Sequence, residues 1–138
     1  MSNVTQLRDK KPENEKITIN LGFVDLGRID LLVQEGFYSN RSDLIRTAIR
    51  NQLESHGEVV SKSLERHTME LGLRDYSVSD LETVREAGEV LHIKVVGLAR
   101  FDPDITPELA LQTIASITVL CALQASTAIK KALADRIK

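Results

Sequence analysis

Three hydrogen-bonding side chains alternate with three aliphatic ones near the start of the chain. The segment Lys16–Leu21 reads KITINL, and its polar members are Lys16, Thr18 and Asn20. A period of two predicts a β-strand with one polar and one apolar face. An ammonium, a hydroxyl and an amide in one row can donate and accept hydrogen bonds. The chemistry they offer is recognition of another polar surface.

The predicted strand has no obvious partner in its own chain. A strand must pair its backbone N–H and C=O groups, and no second strand of similar quality follows nearby. A second copy of the chain supplies the partner if two Lys16–Leu21 segments pair antiparallel across a twofold axis. The aliphatic side chains then enter a core shared by both copies, and the polar side chains line the outer face of a ribbon. Such a ribbon fits the major groove of B-DNA, which is about 12 Å wide.

Two helical patterns follow the strand. The apolar positions of the first, about three turns long, are Leu26, Ile29, Leu32 and Val33. Gly36 stands where a left-handed C-terminal cap belongs, and Ser39-Asn40 offers an N-cap for the next helix. The apolar positions of that second helix are Leu44, Ile45, Ala48, Ile49 and Leu53. It is predicted to end near Gly57, and a short helical stretch over residues 58–69 links it to the second half.

Residues 15–56 resemble the ribbon-helix-helix family of transcription regulators, which includes Arc-like, MetJ-like and CopG-like repressors. The resemblance is carried by KITINL, by the helix ending at Glu35-Gly36, and by FYSNRSDLIRTAI from Phe37 to Ile49. It covers under half of the chain. The resemblance implies an intertwined homodimeric head within an α+β fold. It also implies sequence-specific binding of double-stranded DNA and repression of transcription.

The resemblance also implies a role for each polar residue of the head. Lys16 would donate to guanine O6 and N7, and Asn20 would make the paired contact with adenine. Thr18 would donate a hydrogen bond or pack its methyl group on thymine. Backbone N–H groups at the start of the second helix favour an anion. The residues implied to contact phosphate there are Asn40, Arg41 and Ser42.

Bulk charge gives DNA binding no support. The chain carries a net charge of −2, and residues 1–56 contain eight Lys/Arg and eight Asp/Glu. Affinity must therefore come from the placement of charges, which predicts modest binding by one dimer. Residues 1–14 are predicted to be a flexible arm, either solvated or touching a polyanion. The basic residues of that arm are Arg8, Lys10 and Lys11.

Two arginines in the second helix have an alternative to DNA. Arg46 and Arg50 lie one turn apart. At helical spacing they are expected to pair with acidic neighbours such as Asp43 and Glu54.

The second half repeats itself with an offset of 24 residues. When Leu91–Ile114 is written above Ala115–Lys138, five apolar positions coincide: Ile93 with Ile117, Val95 with Val119, Val96 with Leu120, Ile105 with Ile129, and Leu109 with Leu133. Each copy reads as an apolar strand, a polar turn and a helical segment. A degenerate earlier copy places Leu71-Gly72 against Val96-Gly97 and Leu81 against Ile105. Stacked units give a small parallel sheet backed by helices, and the apolar run IKVVG predicts that both faces of the sheet are covered.

The predicted organisation has four parts: an arm over 1–14, the DNA-binding domain over 15–56, a linker helix over 57–70, and an α/β repeat domain over 71–138. The last part is expected to hold dimers together in tetramers or larger assemblies, or to regulate them. The rival reading is an antitoxin or plasmid-partition protein, whose second half would bind a protein partner. Antitoxins with this head usually carry a disordered tail, whereas the second half of this chain has the repeated apolar pattern of a folded domain.

Metal and enzyme chemistry find little support. The candidate ligands are His56, His67, His92 and Cys121, which lack metal-site spacing, and Cys121 falls at the small, buried position of Gly97 in the repeat. No catalytic motif or cofactor-binding loop is present. One cysteine permits no intramolecular disulfide, and no signal peptide or membrane span is evident. A cytoplasmic protein that is not an enzyme is therefore predicted.

Overall fold

The second half of the chain forms a parallel sheet because each strand is joined to the next through a helix. The computed structural model describes residues 13–138. Its helices and strands are α1 Phe23–Gln34, α2 Arg41–Ser55, α3 Gly57–His67, β1 Glu70–Tyr76, α4 Val78–Glu86, β2 Leu91–Phe101, α5 Pro107–Thr113, β3 Ile114–Gln124 and α6 Thr127–Ala132. The mixture agrees with the predicted α+β class. Residues 14–63 form one compact unit, and residues 64–138 form another, which Glu13 accompanies.

Helix α1 ends as its sequence predicts. Gly36 has φ +87°, a conformation that costs glycine little because it has no Cβ. Its N–H donates to the carbonyl of Val33 at 3.1 Å, and the N–H of Phe37 donates to the carbonyl of Leu32 at 3.1 Å. This pair of bonds is the Schellman pattern, which satisfies carbonyl groups that the helix end leaves open. The predicted left-handed cap is confirmed.

The offset of 24 residues in the sequence is the pairing register of two strands. The sheet order is β1-β2-β3, and both ladders are parallel. Ile93 lies opposite Ile117, and Val95 lies opposite Val119. On the other side of β2, Leu71 lies opposite Val96, an offset of 25. Residues that match in the sequence are thus cross-strand neighbours in the sheet.

Helices α4, α5 and α6 pack side by side in one layer. A hydroxyl caps each of them, since Ser77, Thr106 and Ser126 accept hydrogen bonds from N–H groups three residues later at 3.1, 3.2 and 3.2 Å. The core lies between this layer and the sheet, and its largest fully buried side chains include Leu81, Ile114, Ile117, Ile129 and Leu133. Hydrophobic burial here fixes the helix layer on the sheet.

Ile105 and Ile129 match in the repeat but lie at different positions relative to their helices. Both side chains are buried. Ile105 lies in the connection before α5, whereas Ile129 lies inside α6. The connection from β2 to α5 is longer than the connection from β3 to α6. The longer loop therefore displaces the helix while its isoleucine still reaches the core.

Helices α4, α5 and α6 cover one face of the sheet. Odd-numbered residues of β2, such as Ile93, Val95 and Ala99, belong to the core. On the opposite face Leu71 is 67% exposed and Leu120 is 58% exposed, whereas Leu98 between the outer strands is only 8% exposed. Because the strands are apolar on both faces, their sequence does not show which face the helices cover.

A row of left-handed backbone crosses the middle of the sheet. Gly72 pairs with Gly97, and Gly97 pairs with Cys121. Their φ angles are +134°, +136° and +104°. Cys121 occupies the same row as the two glycines, as the repeat predicts, but the expectation that it is buried is wrong because it is exposed.

Candidate nucleic-acid interface

The segment that precedes α1 exposes both its polar and its apolar rows. Residues 14–22 contain no helix, and Gly22, the N-cap of α1, has an extended backbone. Lys16, Thr18 and Asn20 are all exposed. Ile17 and Ile19 are also exposed, by 72% and 58%. No strand among residues 13–138 pairs with this segment.

The two helices that follow have apolar faces and no core of their own. No residue of 14–63 is buried. Phe23 is 93% exposed, Phe37 is 71% exposed and Leu53 is 61% exposed. Soluble monomers rarely leave so much apolar surface in water. Residues 14–63 therefore carry an exposed apolar surface of the kind that marks interaction sites.

The start of α2 is held by a reciprocal cap. The side-chain oxygen of Asn40 accepts from the N–H of Asp43 at 2.8 Å, and the carboxylate of Asp43 accepts from the N–H of Ser39 at 2.9 Å. The first backbone bond of the helix joins the N–H of Leu44 to the carbonyl of Asn40 at 3.3 Å. The N–H groups of Arg41 and Ser42 precede that bond, in the first turn where helices bind anions.

Arg41 is engaged across the turn between α1 and α2. Its guanidinium donates two hydrogen bonds to the carboxylate of Asp30, both of 2.8 Å. The hydrogen bond with Arg41 holds the pKa of Asp30 below its usual range, and the same bond raises the pKa of Arg41. Both side chains are about half exposed. Sequence reasoning missed this pair because no local spacing rule connects residues eleven positions apart.

The expected partners of Arg46 and Arg50 are not observed. Among residues 13–138, neither arginine forms an ion pair within 4.0 Å. The carboxylate of Asp43 is instead held in the cap of α2. Arg46 and Arg50 are both exposed, so two cations one turn apart remain available on α2.

A cavity of about 350 Å³ lies at the carboxyl ends of the three strands. Tyr76 and Phe101 stack beside it with ring centroids 5.2 Å apart. Arg100 donates to Asp75 at 2.7 Å and lies 3.6 Å from a carboxylate oxygen of Glu13. Charged groups at this edge thus bind one another.

Within residues 13–138, no three His, Cys, Asp or Glu side chains come together in a way that could hold a metal ion. The four candidate ligands named from the sequence are not gathered into a site. None of the helices in this same range combines the length and apolar character needed to span a bilayer.

The chain matches a protein-family model over residues 12–130. Neither the curated proteins nor the solved structures include a match to this chain. The family match reaches well beyond residues 15–56, where the sequence resemblance lies, and includes all three strands of the sheet. The family is one of transcriptional regulators, which bind DNA and typically do so as dimers. The chain belongs to the ribbon-helix-helix transcriptional regulator family.

Proposed function

We propose that two copies of this chain pair their Lys16–Leu21 segments into an antiparallel ribbon that reads the DNA major groove and represses transcription. The observation that carries the proposal is that both the polar row and the apolar row of this segment are exposed. Ile17 is 72% exposed although it alternates with polar residues on a strand pattern. Pairing with a second copy would cover this apolar row and leave the polar row facing outward.

In this ribbon, base recognition belongs to Lys16, Thr18 and Asn20. All three side chains are exposed, and their groups match the donors and acceptors that base pairs present in the major groove. The exposed apolar residues of α1 and α2 would form the shared core of the dimer. Burial of side chains such as Phe37 and Leu53 would then drive dimerisation.

The first turn of α2 would lie against the phosphate backbone. Asn40 fixes the turn by capping it, and its amide NH₂ group still has donors to offer. The N–H groups of Arg41 and Ser42 would bind a phosphate oxygen, and the guanidinium of Arg41 adds positive charge. These contacts position the ribbon and do not depend on base sequence.

Selection of bound DNA from a random pool, combined with the mass of the protein in solution, tests this proposal. We expect an inverted-repeat site and a particle of at least twice the 15.4 kDa chain mass. Each half-site should match one strand of the twofold ribbon. Recovery of sequences with no shared site, or a particle of one chain, would overturn the proposal. Placing the selected site within a reporter promoter then tests repression, which should disappear in variants that no longer bind the site.

The ion pair between Arg41 and Asp30 gives a prediction about phosphate binding. Arg41→Ala should weaken binding to all sequences alike, because phosphate carries no base information. The slope of log K against log salt should fall by about 0.9 for each phosphate that the variant no longer neutralises. Asp30→Asn should strengthen binding to all sequences, because it releases the guanidinium from its carboxylate.

Arg28 supplies the matched control for that experiment. It is an exposed arginine of α1, 4.0 Å from Asp25, and Arg28→Ala should leave the salt slope unchanged. Binding constants measured by fluorescence anisotropy over a range of salt concentrations separate the cases. Equal slopes for wild type, Arg41→Ala and Arg28→Ala would show that Arg41 only joins the two helices.

A further inference from the structure

The face of the sheet opposite the helix layer carries a block of apolar side chains. It includes Leu71 and Leu73 of β1 and Leu120 and Ala122 of β3. Between them lie two residues of β2, the half-buried Val96 and the buried Leu98, which is 8% exposed. The two rows contain no charged residue. Leu71, Leu73 and Leu120 are 67%, 39% and 58% exposed. Parallel sheets are almost always covered on both faces, and helices α4, α5 and α6 lie on one face of this sheet.

The size of this block, here called the open face, restricts what can cover it. With strands about 4.8 Å apart and residues about 3.3 Å apart, its two rows span about 200 Å². The full outward face of β2 and its neighbours spans about 500 Å² on the same spacing. A stable interface between free proteins buries about 800 Å² on each partner. The open face is therefore too small to recruit a free partner strongly, but sufficient for one that is already tethered.

The chain's own second copy is such a tethered partner. Ribbon pairing of residues 14–63 would hold two sheets on one particle, and helix α3 runs from that unit into residues 64–67 without a break. Linked modules meet at effective concentrations in the millimolar range, so a weak contact between them is populated. This step rests on the proposed function.

The charges at the two ends of the open face favour self-pairing in one orientation. Lys94 lies beyond its amino-terminal end, next to Thr118. At the carboxyl end, Arg100 is bound by two carboxylates, Asp75 at 2.7 Å and Glu13 at 3.6 Å. These three groups together carry one excess negative charge. If two open faces stack with their strands antiparallel, each Lys94 lies over the acidic end of the other copy. If they stack with their strands parallel, ends of like charge meet.

We infer that the open face packs against the open face of a second copy of this chain, with the strands of the two sheets antiparallel. The pair buries the leucines of both sheets at a spacing of about 10 Å, as in other face-to-face sheets. The second half of the chain then acts as a second, weaker dimer contact that holds the sheets of a DNA-bound dimer together.

Thiol cross-linking in the full-length chain tests the inference. The only native cysteine is first removed as Cys121→Ala, and Leu120→Cys is added on the open face. A bis-maleimide that spans about 10 Å should join two chains, because antiparallel stacking about a twofold axis places β3 of one copy over β3 of the other, and Leu120 lies near the middle of that strand. Leu111→Cys on α5 is the matched control, since Leu111 is 40% exposed and lies in the helix layer. It should give no cross-linked dimer.

A charge on the open face should abolish the cross-link. Added to the Leu120→Cys protein, Leu73→Glu should reduce the cross-linked fraction at least tenfold. Leu111→Glu should not reduce it, although the two leucines are equally exposed, at 39% and 40%. Circular dichroism checks that both variants remain folded. If Leu120→Cys does not cross-link while the mass is still twice 15.4 kDa, the inference is overturned and the ribbon stands.

Mass measurements separate failure of the open face from failure of the ribbon. A Leu73→Glu variant that keeps the mass of two chains shows that residues 14–63 hold the dimer without the open face, as the ribbon requires. If the Leu120→Cys protein cross-links but Leu73→Glu reduces the measured mass to that of one chain, the open-face contact is supported and the ribbon is overturned. Protection of Leu120→Cys from the reagent without cross-linking would mean that another segment or protein covers the face, which overturns the inference.

Discussion

Gly97→Ala is expected to destabilise residues 64–138 by about 3 to 5 kcal/mol, or to prevent their folding. Two effects act together. The backbone of Gly97 has φ +136°, where any residue with a Cβ is strained. A Cβ at this position would also lie only 2.2 Å from the carbonyl oxygen of Gly72 on the neighbouring strand. Because that obstacle is backbone in a hydrogen-bonded ladder, no side-chain rotation relieves it.

Gly72 and Cys121 provide the controls from the same row of the sheet. Gly72→Ala meets no atom within 4 Å, although its φ is +134°. It should therefore cost only the backbone strain, about 1 to 2 kcal/mol. Cys121 already carries a side chain at φ +104°. Cys121→Gly removes that strain but adds flexibility to the unfolded chain, so a net gain of no more than about 1 kcal/mol is expected.

Urea unfolding of the full chain at a fixed protein concentration measures all three variants. The order of midpoints should be Cys121→Gly at or above wild type, then Gly72→Ala, then Gly97→Ala. A Gly97→Ala protein as stable as Gly72→Ala would show that β1 and β2 do not approach as closely as this register requires. Binding of DNA should be retained by Gly72→Ala, because the substitution lies outside residues 14–63.

The sequence predicts local structure well where one residue type fits one geometry. Gly36 marks the end of α1 because few other residues adopt its positive φ. Asn40 marks the start of α2 because its side chain reaches the N–H of Asp43. The match of Ile93 with Ile117 even predicts the strand register, since equal repeats placed in parallel bring equal positions opposite each other.

Features that depend on distant parts of the chain could not be predicted in this way. Asp30 and Arg41 meet because the cap at Gly36 turns the chain between them, and no periodicity records that contact. What covers the second face of the sheet could not be predicted for a related reason. A strand such as IKVVG is apolar on both faces whether the second face meets a helix of the same chain or another subunit.

The two exposed apolar regions of the chain have a common physical explanation. Residues 14–63 bury nothing in one chain, and the open face of the sheet carries Leu71 and Leu120 largely in water. In the proposed dimer a second copy would cover both regions and make each an ordinary core. The free energy of folding would then be tied to protein concentration, and the thermal midpoint should rise with concentration.

Asn20→Ala is expected to remove discrimination at one base position of each half-site. In the proposed ribbon, the amide of Asn20 donates to and accepts from adenine. Without that amide, binding to the selected site should weaken by about 1 to 3 kcal/mol. Sites that already carry another base at that position should bind wild type and variant equally, because neither protein makes the paired hydrogen bonds there.

Asn51→Ala provides the matched control for this prediction. Asn51 is an exposed asparagine of α2, so its replacement removes the same group from the same unit without touching the ribbon. Competition binding against operators substituted at every position gives the profile of each variant. Asn51→Ala should reproduce the wild-type profile, and Asn20→Ala should flatten it at a single position. A uniform loss of affinity across all operators would place Asn20 on the phosphate backbone, and an unchanged profile would remove it from the interface.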